Sequence, residues 1–283
     1  MLLADQAVQA LLSNDGSRLP LADNFRYTEN GQPLRIGDGL WGTLSAYAGE
    51  DPRLAPAAAD LKYRLDVVDP DTGQITAYRA TDENGTQGVL ALRLRVTGGK
   101  IAEMEAVVIR HEYAGPRGGT VTLMQPMLLQ MFDPEHLGSA DPDFAKESPG
   151  RRPTLIAAAN AYFDGQEAGR SKGIAFDAGC VRRDNGHLST GSTLSCAEQI
   201  DSGLFRYIEK VRDRRFVIDT ERGLVSAIDI MDVPGTVLSD VGSANLRVPQ
   251  SMLSVHLLKI RNGRIVRLET FSRGAPYGLR SGW

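Results

Sequence analysis

A short polar run at 182–187 contains the residue types that acid and base chemistry needs. Asp184 could act as a general base, because burial in an apolar pocket raises the pKa of a carboxylate towards the working pH. Asp-Asn-Gly is equally typical of a turn, so a purely structural role for Asp184 stays open. Asn185, and Asn30 in the similar Glu-Asn-Gly segment, could donate a hydrogen bond to a developing oxyanion, although the glycine that follows each of them favours a turn.

Residues near Asp184 could pair with it, bind the substrate or move protons. Arg182 and Arg183 are consecutive, so the alternation of a β-strand turns one of them inward, where it would either pair with Asp184 or bind a substrate carboxylate or phenolate. His187 could shuttle protons, and a surface histidine is the simpler interpretation. Tyr162 could present its hydroxyl to a pocket while its ring packs, or it could be an ordinary core tyrosine.

The sequence predicts neither a metal centre nor an organic cofactor. The histidines His111, His136, His187 and His256 have no ligand spacing, and the sequence contains no zinc-protease, P-loop or serine-hydrolase motif. A Gly-x-Gly-x-x-Gly match begins at Gly37, but the parallel βαβ unit that a dinucleotide needs is missing around it. An enzyme with this sequence is therefore expected to use cofactor-independent acid–base chemistry.

Composition and charge indicate an ordinary globular protein. The 283 residues are 42% hydrophobic and 24% charged, with a net charge of -3 at pH 7, which gives no broad basic field for nucleic acid. No apolar run is long enough to span a membrane, and the first basic residue, Arg18, comes too late for a secretion signal. Cys180 and Cys196 are expected to be free buried thiols in a reducing cytoplasm.

The chain contains an internal tandem repeat, which sets its domain organisation. Five short segments recur in the same order 150 to 164 residues later. They begin at Glu29, Gly39, Asp71, Asp82 and Gly99, and their counterparts begin at Asp184, Gly203, Glu221, Asp232 and Gly263. We predict a first repeat at 1–114, an ordered connector at 115–152 and a second repeat at 153–283.

Each repeat has the same predicted order of elements. An amphipathic helix opens it, because apolar residues recur every three or four positions around Val8 and around Ile156. A strand, a short helix and a run of alternating strands follow, separated by glycine-containing hairpin turns. The predicted strands lie at 24–34, 62–68, 75–81, 89–96 and 101–110, then at 180–188, 215–218, 224–231, 252–260 and 265–271, with short helices at 40–47 and 199–210. This pattern is typical of the α+β class.

The order of elements resembles the nuclear transport factor 2-like superfamily, which includes ketosteroid isomerase and the SnoaL-like polyketide cyclases. Nearly the whole chain also resembles an uncharacterised two-repeat family of fungi and bacteria within that superfamily. The segments that carry the closer resemblance are 26–32 (Arg-Tyr-Thr-Glu-Asn-Gly-Gln), 37–42 (Gly-Asp-Gly-Leu-Trp-Gly), 212–216 (Arg-Asp-Arg-Arg-Phe) and 276–283 (Pro-Tyr-Gly to Ser-Gly-Trp). The resemblance implies two tandem cone-shaped α+β barrels, each with an opening helix packed on a curved antiparallel sheet.

The resemblance also implies roles for individual residues. In ketosteroid isomerase a phenylalanine precedes the catalytic aspartate by eight residues, and Phe176 precedes Asp184 by the same interval. Tyr162 lies near the place of the isomerase's oxyanion-hole tyrosine, which makes the second repeat the expected active one. Asp229 and Glu269 are the candidate substitutes for the isomerase's second acid.

The resemblance and the residues together predict a cofactor-independent lyase. It would cleave a carbon–carbon or carbon–oxygen bond of a small apolar, aromatic molecule, as in deformylation or dehydration. An isomerase or epoxide-type hydrolase in the same pocket, and a non-catalytic ligand-binding protein, are the alternatives. Tyr27, Glu29 and Asn30 are the counterparts in the first repeat and join Arg183 among the candidate substrate-binding residues. The protein is expected to be cytoplasmic, with its repeats packed as a pseudo-dimer and homo-oligomers left open.

Overall fold

The computed structural model describes residues 3–49, 51, 53, 58, 61–110, 140–190, 194–236 and 248–283. The described residues form two compact units. Unit 1 comprises those within 1–111, together with 140 and 280–283, and unit 2 comprises those within 141–279. Most of the predicted connector at 115–152 lies outside the described residues, and its described part from 141 onward belongs to unit 2.

The described part of unit 1 contains two α-helices, a short 3₁₀ helix (Gly16–Arg18) and one sheet. Its elements are α1 (Leu3–Leu12), β1 (Leu21–Glu29), β2 (Gln32–Leu34), α2 (Leu40–Thr43), β3 (Leu44–Tyr47), β4 (Arg64–Asp69), β5 (Gln74–Glu83), β6 (Thr86–Thr97) and β7 (Lys100–Arg110). The sheet order is β2-β1-β7-β6-β5-β3, with β4 also paired to β5. The predicted strand at 24–34 is two strands separated by the turn at Asn30, and the predicted helix at 40–47 ends early because its second half is β3.

Unit 2 repeats this order of elements. They are α3 (Arg152–Ala168), β8 (Phe176–Asp184), β9 (His187–Leu188), α4 (Cys196–Asp201), β10 (Lys210–Asp219), β11 (Leu224–Val233), β12 (Gln250–Arg261) and β13 (Arg264–Ala275). The sheet order is β10-β11-β12-β13-β8-β9. Each of these six strands corresponds to a strand of unit 1, and β3 of unit 1 has no counterpart among the described residues of unit 2. Helix α4 begins at Cys196, earlier than predicted, because Ser195 and Glu198 form a capping box.

Both sheets are mixed, which corrects the prediction of antiparallel sheets. β1 pairs with β7, and β8 with β13, in the parallel direction, while the other neighbouring strands are antiparallel. Short glycine-containing turns fix the direction of hairpin strands in the sequence. No turn joins β8 to β13, which lie far apart in the chain, so their relative direction has no local signal. The protein is therefore an α+β protein with two mixed sheets.

One face of each sheet packs against the helix that opens its unit. In unit 2, Tyr162 and Phe163 of α3 share a buried cluster with Leu258 of β12. In unit 1, Val8 of α1 packs in the same way with Leu92 of β6. The helix-facing surface of each sheet is therefore the interior in which any internal site has to lie.

Candidate active site in unit 2

The helix-facing surface of the second sheet carries a row of polar side chains in the core. The strand register places Asp184, Thr270 and His256 beside one another on β8, β13 and β12, and directly opposed residues project from the same face of a sheet. His256 is fully buried, Thr270 is 1% exposed and Asp184 is 7% exposed. Buried polar groups of this kind have to find their partners inside the protein.

The imidazole of His256 is held from both sides. Its Nε2 lies 3.2 Å from Oδ2 of Asp229, and both side chains are fully buried. Its Nδ1 lies 3.1 Å from Oγ1 of Thr270, and the ring of Phe163 packs against it edge-on with 5.0 Å between ring centroids. When the ring carries its proton on Nε2, Nδ1 is free to accept a hydrogen bond from the Thr270 hydroxyl. The contacts with Asp229 and Thr270 therefore fix the orientation of the ring.

Tyr162 extends this row of polar contacts from the helix. Its hydroxyl is within hydrogen-bonding reach of Thr270 and accepts a hydrogen bond of 3.1 Å from Nε2 of Gln166. Burial raises the pKa of Tyr162 to about 12, against the opposing effect of Arg182. The phenol is therefore neutral and remains a hydrogen-bond donor near neutral pH. A chain of polar contacts thus runs from Asp229 through His256 and Thr270 to Tyr162, and we call these four residues the relay.

Asp184 and Arg182 form a separate buried ion pair. The guanidinium makes a two-point contact, with Nε 2.9 Å from Oδ2 and Nη2 2.8 Å from Oδ1, and it also lies 4.4 Å from the ring centroid of Phe205. Burial alone would raise the pKa of Asp184, but the charge and hydrogen bonds of Arg182 and the hydroxyl of Ser189 hold it below its ordinary value. The prediction of a raised pKa was wrong, because the inward arginine is Arg182 and it neutralises Asp184.

Arg183 and Glu269 lie on the other face of the same sheet. They oppose each other in the register of β8 and β13, and Arg183 follows Arg182 along its strand, so both project away from the face that carries the relay. Glu269 therefore does not supply a second acid to this site. His187 lies in β9 opposite Asp184 and is half-buried.

Asn185 and Asn30 have the same structural role in the two units. The Oδ1 atom of Asn185 accepts a 2.9 Å hydrogen bond from the backbone N–H of Ser272, and Oδ1 of Asn30 accepts one of 2.9 Å from that of Val108. Both residues adopt a left-handed backbone conformation, with φ of 48° and 50°. The side chains therefore close the turns after β8 and β1, and Asn185 does not act as an oxyanion donor in this geometry.

We expect Asn185→Ala to destabilise unit 2 by about 1–3 kcal/mol, because it leaves buried backbone groups without a partner. Urea unfolding measures the change. Asn84→Ala is the matched control, because Asn84 has a similar φ of 51° but is exposed, so that the backbone strain of alanine is common to both variants. Equal losses in the two variants would contradict this role.

In unit 1 the corresponding carboxylate is also structural. Glu29 accepts hydrogen bonds from the backbone N–H of Leu40 at 2.7 Å and from the hydroxyl of Tyr27 at 3.2 Å, and Arg110 contacts it at 3.0 Å. Burial and the neighbouring Glu29 raise the pKa of Tyr27 above its ordinary value. Gly39 is required here, because a Cβ atom at its position would collide with the Glu29 carboxylate. The glycine motif at 37–42 thus helps to seat Glu29 at the start of α2.

Two members of the relay, His256 and Thr270, had no assigned role in the sequence-based prediction. The repeat offers a signal that would have identified both. His256 and Thr270 follow Leu92 and Ala106 by the 164 residues that separate the strands of the two repeats, so each apolar position of the first repeat has become polar in the second. Polar residues that replace core residues in only one copy of a repeat are candidates for chemistry.

The two cysteines are bonded to each other, which corrects the prediction of free thiols. Cys180 in β8 and Cys196 at the start of α4 form a disulfide with a Cα–Cα distance of 6.0 Å. The spacing of the two cysteines in the sequence does not distinguish free thiols from a disulfide, since only the fold brings the start of α4 next to β8. The disulfide encloses the segment that holds the Arg182–Asp184 pair.

Replacing both cysteines by alanine is expected to lower the free energy of unfolding by about 3 kcal/mol, because the bond closes a loop with a sequence separation of 16 residues. Denaturant unfolding with and without reductant measures it. Reductant should destabilise the wild type and leave the double variant unchanged. Two reactive thiols in the unreduced native protein would contradict the bond.

The described residues include neither a candidate metal site nor a candidate membrane helix. They contain no group of three or more His, Cys, Asp or Glu residues placed to hold a metal ion. Of the helices in the described ranges, none has the length and apolar character needed to cross a lipid bilayer.

In comparison with known proteins, part of unit 2 matches the model of a family of unknown function. Residues 149–272 match the model of a family described as "Domain of unknown function (DUF8021)", and this range includes all four members of the relay. No curated protein matches the chain. Among solved structures, the chain is similar to AusH from Aspergillus nidulans, at 18% identity over 44% of this chain and 86% of that chain, with a TM-score of 0.31.

Proposed function

We propose that unit 2 is a cofactor-independent acid–base lyase that cleaves a carbon–carbon or carbon–oxygen bond of a small apolar, aromatic molecule. The observation that carries this proposal is the buried relay, in which the His256 imidazole lies between the Asp229 carboxylate and the Thr270 hydroxyl. A carboxylate paired with an imidazole is suited to moving protons near neutral pH.

In this mechanism, a substrate hydroxyl gives its proton to the relay as the adjacent carbon–carbon bond breaks and a carbonyl forms. Thr270 passes its own proton to Nδ1 of His256 and receives the substrate proton, while Asp229 stabilises the resulting imidazolium. The neutral phenol of Tyr162 donates a hydrogen bond to the developing negative charge. The proton returns along the same contacts to the carbon that leaves, so no net proton is gained or lost.

The surroundings of the relay favour an apolar aromatic substrate. Phe163, Phe216 and Leu258 belong to or pack on the same buried cluster as Tyr162, and Phe163 and Phe216 are stacked with 6.3 Å between ring centroids. Aromatic and aliphatic walls with a few polar groups are typical of small-molecule sites. The cone-shaped form of each unit and its place in the nuclear transport factor 2-like superfamily remain part of this proposal.

Isotope exchange and product analysis test the proposal. Phenolic diaryl diols and ketones would be incubated with metal-free protein in deuterated buffer and followed by NMR, with wild type beside Asp229→Asn. Glu29→Gln is the matched control, because Glu29 is a buried carboxylate of unit 1 outside the relay. We expect deuterium uptake or aldehyde release by the wild type and Glu29→Gln, and its loss in Asp229→Asn. Activity retained in Asp229→Asn would overturn the proposed mechanism.

A non-catalytic ligand-binding role is the second candidate, and the complete burial of His256 and Asp229 favours it. Under that role the relay would only position a ligand, so wild type would bind members of the panel without exchange or cleavage. The isomerase and epoxide-hydrolase alternatives differ from the lyase in their products, which the same NMR experiment identifies.

The disulfide bears on where the protein works. Bonds between cysteines persist in oxidising compartments and are rare in the cytoplasm, so Cys180–Cys196 favours an oxidising compartment over the predicted cytoplasmic one. Rapid alkylation of the protein in its native source, followed by mass spectrometry, tests this. Two alkylated cysteines would favour the cytoplasm.

A further inference from the structure

A second row of polar side chains lies next to the relay. Asp229, Ser254 and Ser272 oppose one another across β11, β12 and β13. Ser254 and Ser272 each lie two residues along their strands from His256 and Thr270, so they project from the same face. Asp229 and Ser254 are fully buried, and Ser272 is 3% exposed.

The protein leaves the hydrogen-bonding capacity of this row unused. In the described part of the chain, neither carboxylate oxygen of Asp229 receives an aligned hydrogen bond, and the hydroxyl oxygens of Ser254 and Ser272 have no partner. Nε2 of His256 lies 3.2 Å from one of these oxygens, without the alignment of a hydrogen bond. Buried polar atoms without partners destabilise a fold, so several of them in one row indicate a role other than stability.

The repeat shows that this fold does not require such a row. The two serines correspond to Leu90 and Val108 of unit 1, which lie 164 residues earlier in β6 and β7 and belong to the hydrophobic core. Asp229 corresponds to Arg79, which is bound to Asp5 at 2.9 Å. Unit 1 therefore fills the equivalent positions with two aliphatic side chains and an arginine that is paired with Asp5.

We propose that Asp229, Ser254 and Ser272 form a subsite for an uncharged hydroxyl group of the substrate. A carboxylate only accepts hydrogen bonds, whereas a serine hydroxyl both donates and accepts. A hydroxyl group is the complementary ligand, since it can donate to Asp229 and accept from a serine. An ether offers no donor, and a carboxylate ligand would be repelled by Asp229. The inference rests on the proposed function for the chemistry that follows binding, and it assigns the substrate class to hydroxylated aromatic compounds.

The next row along the strands suits the aromatic part of such a ligand. Met231 and Met252 oppose each other there on β11 and β12 and belong to the buried cluster of unit 2. Methionine side chains are flexible and polarisable, so they can repack around an inserted ring and make favourable sulfur–aromatic contacts. The hydroxyl would lie at the polar row, with the ring against the two methionines.

Equilibrium binding of three matched probes tests the subsite without any chemistry. Naphthol, methoxynaphthalene and naphthoate have the same ring system and differ in the polar group. Their affinities for the full chain would be measured by calorimetry and by ligand-observed NMR in wild type and in Ser254→Ala/Ser272→Ala. Thr76→Val is the matched control, because Thr76 of unit 1 also has a fully buried hydroxyl without a partner.

We expect wild type and Thr76→Val to bind naphthol about tenfold or more tightly than methoxynaphthalene, the difference that one net hydrogen bond produces, and to reject naphthoate. The preference should fall to within about twofold in the double alanine variant. Equal binding of the three probes, a preference that survives in the alanine variant, or binding of none of the probes would overturn the subsite. Binding with the expected preference but without turnover of hydroxylated substrates would leave the subsite standing and contradict the lyase.

Discussion

Asp184→Asn is expected to lower the free energy of unfolding by about 3 to 5 kcal/mol, because it removes one partner of a buried ion pair. Arg182 is 2% exposed and its guanidinium makes its two-point contact with Asp184. The neutral amide cannot balance the remaining charge, and the arginine cannot reach water without disrupting the core. The loss of stability would come from the buried, unpaired guanidinium of Arg182 rather than from the lost attraction between the two charges.

Urea unfolding measures this change, and Asp164→Asn is its matched control. Asp164 also pairs with an arginine, Arg214, at 2.7 Å, but its side chain is 66% exposed, so removing its charge should cost less than about 1 kcal/mol. Replacing both buried partners, in Arg182→Met/Asp184→Leu, should recover most of the loss. Similar losses of stability in Asp184→Asn and Asp164→Asn would contradict the expectation that Arg182 stays buried without a counter-charge in the first variant.

The same ion pair predicts a dependence of stability on pH. The pKa of Asp184 is lower in the folded protein than its ordinary value of 3.8, so the unfolded chain binds the proton first on acidification. The stability contributed by Asp184 is therefore complete above that ordinary value and is lost as the pH falls through the folded pKa. Stability measured from neutral to acidic pH should fall less steeply in Arg182→Met/Asp184→Leu than in the wild type.

Much of the fold could be predicted because the sequence repeats itself. The strands after Asp71 and Glu221 lie near their predicted positions, since alternating apolar residues and glycine turns define antiparallel hairpins locally. The pairing of β8 with β13 could not be read in this way, because it joins segments about 80 residues apart without a turn between them. That parallel pairing is what brings Asp184 beside Thr270.

The site was predicted less well than the fold, because it depends on contacts between strands that are distant in the sequence. Strand alternation required one of Arg182 and Arg183 to face inward, but only the register with β13 shows that it is Arg182. Because Arg182 faces inward, its charge balances that of Asp184, and burial no longer raises the pKa of this carboxylate above its ordinary value. His256 has apolar neighbours in the sequence, and its partner Asp229 lies on the adjacent strand, so their proximity is a property of the sheet.

His256→Asn is expected to lower kcat/KM for a substrate of the proposed lyase by about 100-fold to 10,000-fold, the usual contribution of a general acid or base. Asparagine keeps a polar group near Asp229 but cannot take up a proton from Thr270, so the relay is broken at its centre. Deuterium uptake in the NMR assay measures the loss. Because the imidazole also packs on Phe163, the folded fraction of the variant has to be established by its near-ultraviolet circular dichroism.

A structural role for His256 would give a different result. Asp184→Asn provides the comparison, since it is expected to lose more stability than His256→Asn while its Thr270 and His256 remain in contact. The relay predicts that, at a temperature where both variants are fully folded, Asp184→Asn retains turnover and His256→Asn does not. If turnover instead follows stability across the two variants, or survives in His256→Asn, the imidazole only supports the core. Asp229 would then be a buried counter-charge like Asp184, and the acid–base chemistry would have to be sought outside the relay.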